Sequence, residues 1–503
     1  MPNILFLMTD QQRFDTIAAL GNSIIDTPNL DRLVRRGLSL NGYSTCPVCV
    51  PARYTIRTGC EPSRTGVYQN QGGATLNDDV RGACGAYLAE VLAAQGYRTF
   101  GIGKFHTSPW DAPLGFEVHL HTEELYAPGQ RQRDSYASFI ATEHPEYDWV
   151  EGLMGERTDM YYIPQMSPLP AHLGVEAWVA DRACEQLADP DGRPFFGMVS
   201  FIGPHPPFAP PIPYNRYYDP DRMPDPVAGD PAIDHQDEQI PWMNHATFAD
   251  DIGPGLARSL KARYYGEITY IDGCIGRILD ALEARSDADD TLICFYADHG
   301  DHLGDHRAWQ KESFFEGATR IPMLVSWPSH LPANEVRPDL ACLTDLFAIA
   351  TAASGQLEVR DGHDLLGALE GQTAPRDQVI GLYGPPGTPR FKIMVRTGNW
   401  KYIYLANGGF EQLFNVTADP HEIRELHDTE PDVTATLRQA AVAALTDRGV
   451  RSALTDDGRS LRPLPFEQRP LRRIYQFDAS RGITSFGPGV LNAARAQEQG
   501  QST

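Results

Sequence analysis

Five short apolar runs set what this chain can fold into: Asn3–Met8, Tyr97–Ile102, Pro194–Ile202, Thr291–Tyr296 and Ile321–Ser326. Each is rich in Ile, Leu, Phe and Val and is bounded by Gly, Pro or Asp. Near-continuous runs of this length suit strands buried on both faces of a mostly parallel sheet. Between them lie helical patterns, the clearest carrying Tyr264, Ile268, Ile271, Ile275, Ile278, Leu279 and Leu282 on one face. That stripe reads as plain core packing. The expected class is α/β, a large mostly parallel sheet sandwiched by helices, over residues 1–375. Residues 376–450 read as a smaller α+β subdomain with a short antiparallel sheet: Phe391–Thr397, Lys401–Leu405 and Gln412–Asn415 are strand candidates, followed by a helix near Pro431–Thr446. Residues 451–503 form a tail without clear period. Two aperiodic stretches, 107–175 and 204–255, read as excursions that wall a pocket, with Trp110, Tyr126, Trp149, Tyr161 and Trp242 as candidate surfaces.

Charge narrows the function classes. The formal net charge is -23, and of 43 basic residues only five are lysines (Lys104, Lys261, Lys311, Lys392 and Lys401). Such a balance argues against a general binder of nucleic acid or of anionic membranes. The first residues carry no basic n-region or cleavage site, and no run approaches the ~18 apolar residues of a membrane span. Eight irregularly spaced cysteines suggest no disulfide framework, so the cytoplasm is the expected location. Homo-oligomer formation is left open.

Four of the runs lead straight into polar residues. The first leads to Asp10 and Gln11, the second to Lys104 and His106, the third to His205, and the fourth to Asp298 and His299. In open parallel sheets, ligands bind outside the carboxyl ends of the strands. A lone histidine after a strand is more often structural than functional; four such segments at one end of a sheet point to a shared site. Asp10, Gln11 and Asp298 offer oxygen ligands and His299 an imidazole. Such a set suits Ca²⁺, Mg²⁺ or Mn²⁺, with the imidazole tilting toward Mn²⁺. A lone CxxC argues against structural zinc.

The segment Cys49-Val50-Pro51-Ala52-Arg53 places a proline in what should be a first helical turn. Cys49 then sits at a helix N-terminus, where anions are favoured. The alternatives are a Cys46/Cys49 redox pair or a buried structural thiol. Arg57, one turn beyond Arg53, reads as a solvated or salt-bridged helix residue.

Cys49-x-Pro51-Ala52-Arg53 followed by Thr58-Gly59 closely resembles the formylglycine motif of the type I sulfatases, in the alkaline phosphatase superfamily. The resemblance runs from Pro2 to about residue 450. It takes in Thr27-Pro28-Asn29-Leu30-Asp31, Gly103-Lys104-Phe105-His106, Pro204-His205-Pro206, Asp298-His299-Gly300 and Lys311. It implies an alkaline phosphatase-like fold and a hydrolase that cleaves a small organic sulfate monoester to alcohol and sulfate. It also implies that a formylglycine-generating enzyme oxidises Cys49. Asp10, Gln11, Cys49, Asp298 and His299 would hold one divalent cation, Ca²⁺ first, with Mn²⁺ or Mg²⁺ as the other candidates. Arg53 and Lys104 would orient the formylglycine diol, and His106 would take a proton from it. His205 and Lys311 would bind the sulfate and protonate the leaving oxygen. Asn70 is a further candidate for anion contact. The Asp10-Gln11 and Asp298-His299 pairs look more like choline sulfatases and phosphonate monoester hydrolases than other members. An alternative activity is therefore phosphonate monoester or phosphodiester hydrolysis with the same formylglycine, although Lys104 and His106 favour sulfate.

Overall fold

The computed structural model describes residues 1–123, 133–148 and 161–471. Nine strands form the main sheet: β1 (Asn3–Thr9), β2 (Leu38–Tyr43), β3 (Arg98–Gly103), β4 (Val118–His121), β5 (Phe195–Ser200), β6 (Thr291–Ala297), β7 (Arg320–Ile321), β8 (Met323–Ser326) and β9 (Glu335–Cys342). Their order is β4-β3-β5-β1-β6-β8-β2-β7, with β9 beside β2. β1 is buried along its whole length. Ile4, Phe6 and Met8 join the core on one face and Leu5 and Leu7 the core on the other, as the two-residue period of a strand requires. The second core is closed by the helix Pro254–Glu283, whose Ile271, Ile275, Ile278, Leu279 and Leu282 pack there.

The block β4-β3-β5-β1-β6 is wholly parallel, as expected. The run Ile321–Ser326 behaves differently. It divides at Pro322 into β7 and β8, both antiparallel to β2, and β8 is also antiparallel to β6. Proline lacks the N–H that a continuous ladder needs. β2 and β9 escape a reading of apolar runs for different reasons. β2 contains Asn41 and Gly42, and Gly42 is required because a Cβ there would lie 2.6 Å from the Met323 Cβ. The first half of β9 is largely exposed and polar. β4 falls inside the stretch read as an excursion.

A second, antiparallel sheet follows: β10 (Gln378–Tyr383), β11 (Lys392–Thr397), β12 (Trp400–Leu405) and β13 (Phe410–Asn415). Ile393 and Val395 pack on Leu437, Ala441 and Leu445 of the helix Pro431–Asp447. Met394, facing the other way, joins Tyr43 and Cys342 of the main sheet. An ionic pin reinforces this joint. Lys401, fully buried on β12, contacts Glu316 at 2.9 Å and also Glu422. Replacing Lys401 by Met leaves two buried carboxylates facing one another, and should cost about 3–5 kcal/mol in urea unfolding. All five lysines of the chain are buried, so its exposed cations are arginines.

Among the described residues no helix is long and apolar enough to cross a membrane.

Candidate active site

The parallel register brings the polar strand ends to one level. Thr9 pairs with Ala297 and Gly103 with Ser200, so Asp10, Asp298 and Lys104 emerge side by side. The ladders continue past the strands: Asp298 N–H donates to the Thr9 carbonyl (3.3 Å) and Lys104 N–H to that of Ser200 (3.0 Å). Gln11 turns through a left-handed conformation (φ 67°). Tyr264 holds that turn, donating to the Gln11 carbonyl at 2.7 Å and accepting from Arg13 N–H. Tyr264 is thus a support of the site loop as well as part of a core stripe.

A buried helix, Cys49–Thr58, points its N-terminus at these strand ends. It closes on Gly59 (φ 65°), where a Cβ would lie 2.7 Å from Phe347. Arg53 on its second turn clamps two carboxylates, with Nη2 to Asp10 Oδ2 at 2.8 Å and Nε to Asp298 Oδ2 at 2.9 Å. Lys104 Nζ adds a 2.6 Å contact to Asp10 Oδ2. Ser200 Oγ accepts from Arg53 at 3.0 Å. Burial alone would raise the Asp10 carboxyl, but Lys104 and Arg53 hold it well below the usual range.

With their Oδ2 atoms engaged, the Oδ1 atoms lie toward His299, that of Asp298 also accepting from the N–H groups of Gln11 and His299. His299 Nε2 lies 3.8 Å from Asp10 Oδ1, 3.6 Å from Asp298 Oδ1 and 3.2 Å from Cys49 Sγ. The donor atoms of Asp10, Cys49, Asp298 and His299 all lie within 4.8 Å of one another. Burial pushes the His299 pKa down to about 4, which leaves a neutral imidazole with a lone pair to offer. Burial and Asp10 push the Cys49 thiol up to about 12, so the unmodified side chain is a poor nucleophile. Gln11 sits beside this cluster, its Oε1 accepting from Lys311 Nζ (2.6 Å) and its Nε2 donating to Asp301 (2.6 Å).

A cavity of about 280 Å³ opens over Cys49, lined also by His205, Lys311 and Asn70. Lys311 Nζ lies 3.2 Å from Cys49 Sγ. The His205 ring is fixed by the Pro206 carbonyl (2.6 Å) and by the edge of Tyr161. Asn70, exposed, accepts from Val50 N–H at 3.0 Å and so caps the Cys49 helix. Of the expected wall aromatics, Tyr161 and Trp242 line the cavity. Trp110 instead packs against His121 and Arg133, and Tyr126 and Trp149 lie outside the described residues.

Cys46 donates to the Tyr68 carbonyl, whereas Cys49 Sγ contacts His299 and Lys311. Arg57 is not solvated, and among the described residues it forms no salt bridge. It is buried, with its guanidinium 4.2 Å from the Tyr54 ring centroid and Nε on the Arg53 carbonyl. The aromatic slot beneath the helix leaves it no room to reach solvent.

His106 is half-buried, turned by a left-handed backbone (φ 52°), and is not among the described residues lining the cavity. Its N–H donates to Glu123 Oε1 (2.6 Å), which also contacts His121 Nε2 (2.8 Å). Burial would raise Glu123, but His106 and His121 hold it at about 2. Glu123 and Asp301 are site residues that sequence reasoning missed. The alternation His119, His121, Glu123 was the available signal, since residues two apart share a strand face.

Comparison with known proteins agrees with this geometry. A family model described as Sulfatase matches residues 2–355. An arylsulfatase of Clostridium perfringens is 28% identical over 85% of this chain and 91% of its own length. A choline-sulfatase of Rhizobium meliloti is 30% identical, over 84% of this chain and 82% of its own. A solved phosphonate monoester hydrolase of Agrobacterium radiobacter superposes with a TM-score of 0.74 at 23% identity, covering 92% of this chain and all of the other. The strand-end cluster, the buried cysteine helix and these matches place the chain in the sulfatase family, on an alkaline phosphatase-like fold.

Proposed function

We propose that this chain hydrolyses small organic sulfate monoesters to an alcohol and inorganic sulfate, with Cys49 converted to formylglycine by a maturation enzyme. One observation carries the reading: Cys49 lies between the Asp10–Asp298–His299 cluster on one side and Lys311 and His205 of the cavity on the other. A thiol with its pKa raised to about 12 is ill suited to attack; an aldehyde hydrate is suited. Once formed, the diol would supply one hydroxyl that bonds to sulfur as the sulfur–oxygen bond to the alcohol breaks, and a second whose deprotonation re-forms the aldehyde as the carbon–oxygen bond to sulfate breaks. A cavity of about 280 Å³ fits small substrates.

Asp10, Asp298, His299 and residue 49 fit a divalent cation, Ca²⁺ by resemblance, because their donor atoms converge while Arg53 and Lys104 occupy the Oδ2 carboxylate oxygens. Gln11 would add an amide oxygen. When bound, the cation supplies Lewis acidity toward the sulfate oxygens. Arg53 and Lys104 hold the two carboxylates in place. Lys311 Nζ and His205 face the sulfate and deliver a proton to the departing alkoxide. Glu123 steadies the segment that carries His106, to which the resemblance assigns the proton of the second hydroxyl. The unbridged cysteines suit a reducing compartment, and we place the protein in the cytoplasm.

The pair Asp298-His299 supports a second reading, phosphonate monoester hydrolysis by the same groups. Parallel assays on an aryl sulfate and an aryl phosphonate monoester test both, using enzyme whose formylglycine content is known from peptide mass spectrometry. We expect the higher kcat/KM on the sulfate, and loss of both activities on chelation. The reverse ranking would overturn the first reading.

A further inference from the structure

The cavity over Cys49 holds a second concentration of positive charge. Arg390, between β10 and β11, and Arg469, from the stretch after the small sheet, both line it. Arg390 Nη1 donates to Gln69 Oε1 at 3.0 Å and Arg469 Nη1 to Gln239 Oε1 at 2.9 Å, both neutral amides. The Arg469 Cζ also lies over the Trp242 ring, 3.2 Å from its centroid. Among the described residues neither guanidinium forms an ion pair. Arg376, Arg438 and Arg448, by contrast, are paired with Asp345, Glu411 and Glu61. Glu238 and Glu312 lie within electrostatic reach of Arg469 but form no ion pair with it. Glu312, also in the lining, accepts from the Gln239 amide, and burial together with Asp237 shifts Glu238 toward its neutral form. Burial, and then the nearby Arg390 charge, disfavour the charged form of Arg469.

Two like charges on one small cavity wall are relieved by an anion between them, and the planar fork of arginine suits carboxylate or sulfate oxygens. The same wall is unsuited to a quaternary ammonium, because the Trp242 face that would attract it is covered by Arg469.

Resting on the sulfatase reading above, we propose that the substrate carries a second anionic group, a carboxylate or another sulfate, beside the ester that is cleaved, and that Arg390 and Arg469 bind it. The residues after 450 then complete the substrate pocket by contributing Arg469.

The test compares phenyl sulfate, 4-carboxyphenyl sulfate, 1,4-phenylene disulfate and choline sulfate on wild type and on Arg390→Gln/Arg469→Gln. We expect the dianionic esters to have the highest kcat/KM and choline sulfate the lowest. In the variant, the ratio of kcat/KM for a dianionic ester to that for phenyl sulfate should fall roughly ten- to a hundred-fold, the size of one or two charge-assisted hydrogen bonds. An unchanged ratio, or a wild-type preference for choline sulfate, refutes the proposal. The two dianions separate a carboxylate-reading pocket from a sulfate-reading one. A binding arm separates this inference from the activity. 4-Sulfobenzoate and benzenesulfonate, which cannot be hydrolysed as esters, are titrated calorimetrically into both proteins. If no ester is turned over but wild type prefers 4-sulfobenzoate and the variant does not, the hydrolase reading fails and the subsite stands. If wild type shows no preference, the subsite fails whatever the turnover.

Discussion

Replacing Cys49 by Ala should lower kcat/KM on sulfate esters by at least about 10⁴-fold, while the protein still folds. Nucleophile removal in enzymes whose groups act as a unit costs at least that much. The structural cost should be small, because only the Sγ atom is lost. It makes no ion pair, and its neighbours His299, Lys311 and Asp10 keep their other partners. Matched melting curves beside lost turnover are the expected result. Full activity in the Ala variant refutes the assignment of the nucleophile. Cys49→Ser is the sharper probe. A single hydroxyl can be sulfated but cannot expel sulfate by returning to an aldehyde, so the variant should stop after one turnover. Mass spectrometry of the peptide spanning Val48–Arg53 would then find sulfate on Ser.

Replacing Arg53 by Ala should instead attack the fold of the site. The guanidinium is buried, and it links Asp10, Asp298, the Lys104 carbonyl and Ser200. Its loss strands two buried carboxylates, for which about 3–5 kcal/mol of destabilisation is expected in denaturant unfolding. Lys104 remains for Asp10 only, since its contact is to Asp10 Oδ2. The loss should be larger in chelator than in excess Ca²⁺, because a bound cation offsets part of the carboxylate charge. Arg53→Lys should not rescue it. A single ammonium cannot reproduce a fork whose Nε and Nη2 reach two different residues. Equal stability of wild type and the Ala variant in chelator would contradict the clamp.

The strand ends were legible because the information is local. Each apolar run and the polar residue that ends it are adjacent in the chain, so Asp10, Lys104, His205 and Asp298 could be placed at one edge once the sheet was read as parallel. The start of the cysteine helix was legible from Pro51. The antiparallel turn of β7 and β8 was not, because a buried strand shows the same apolar run in either direction; only Pro322 marked the break. Arg57 was misread because its spacing from Arg53 says nothing about the Tyr54 ring that covers it. Glu123 was hidden in a stretch without helical period, where a four-residue strand left too short an alternation to stand out.

By itself, then, the sequence determined the class of fold, the family, and the chemical types gathered at the sheet edge, since these follow from residue order and local preference. Only the tertiary structure decided which carboxylate oxygens turn to Arg53 and Lys104 and which lie toward His299. It also decided that Arg390 and Arg469 share a cavity with Cys49. The physical reason is separation along the chain. Arg53 and Asp298 are 245 residues apart and Arg469 and Gln239 are 230 apart. Such contacts are set by how whole layers pack, and no local pattern of residues encodes them.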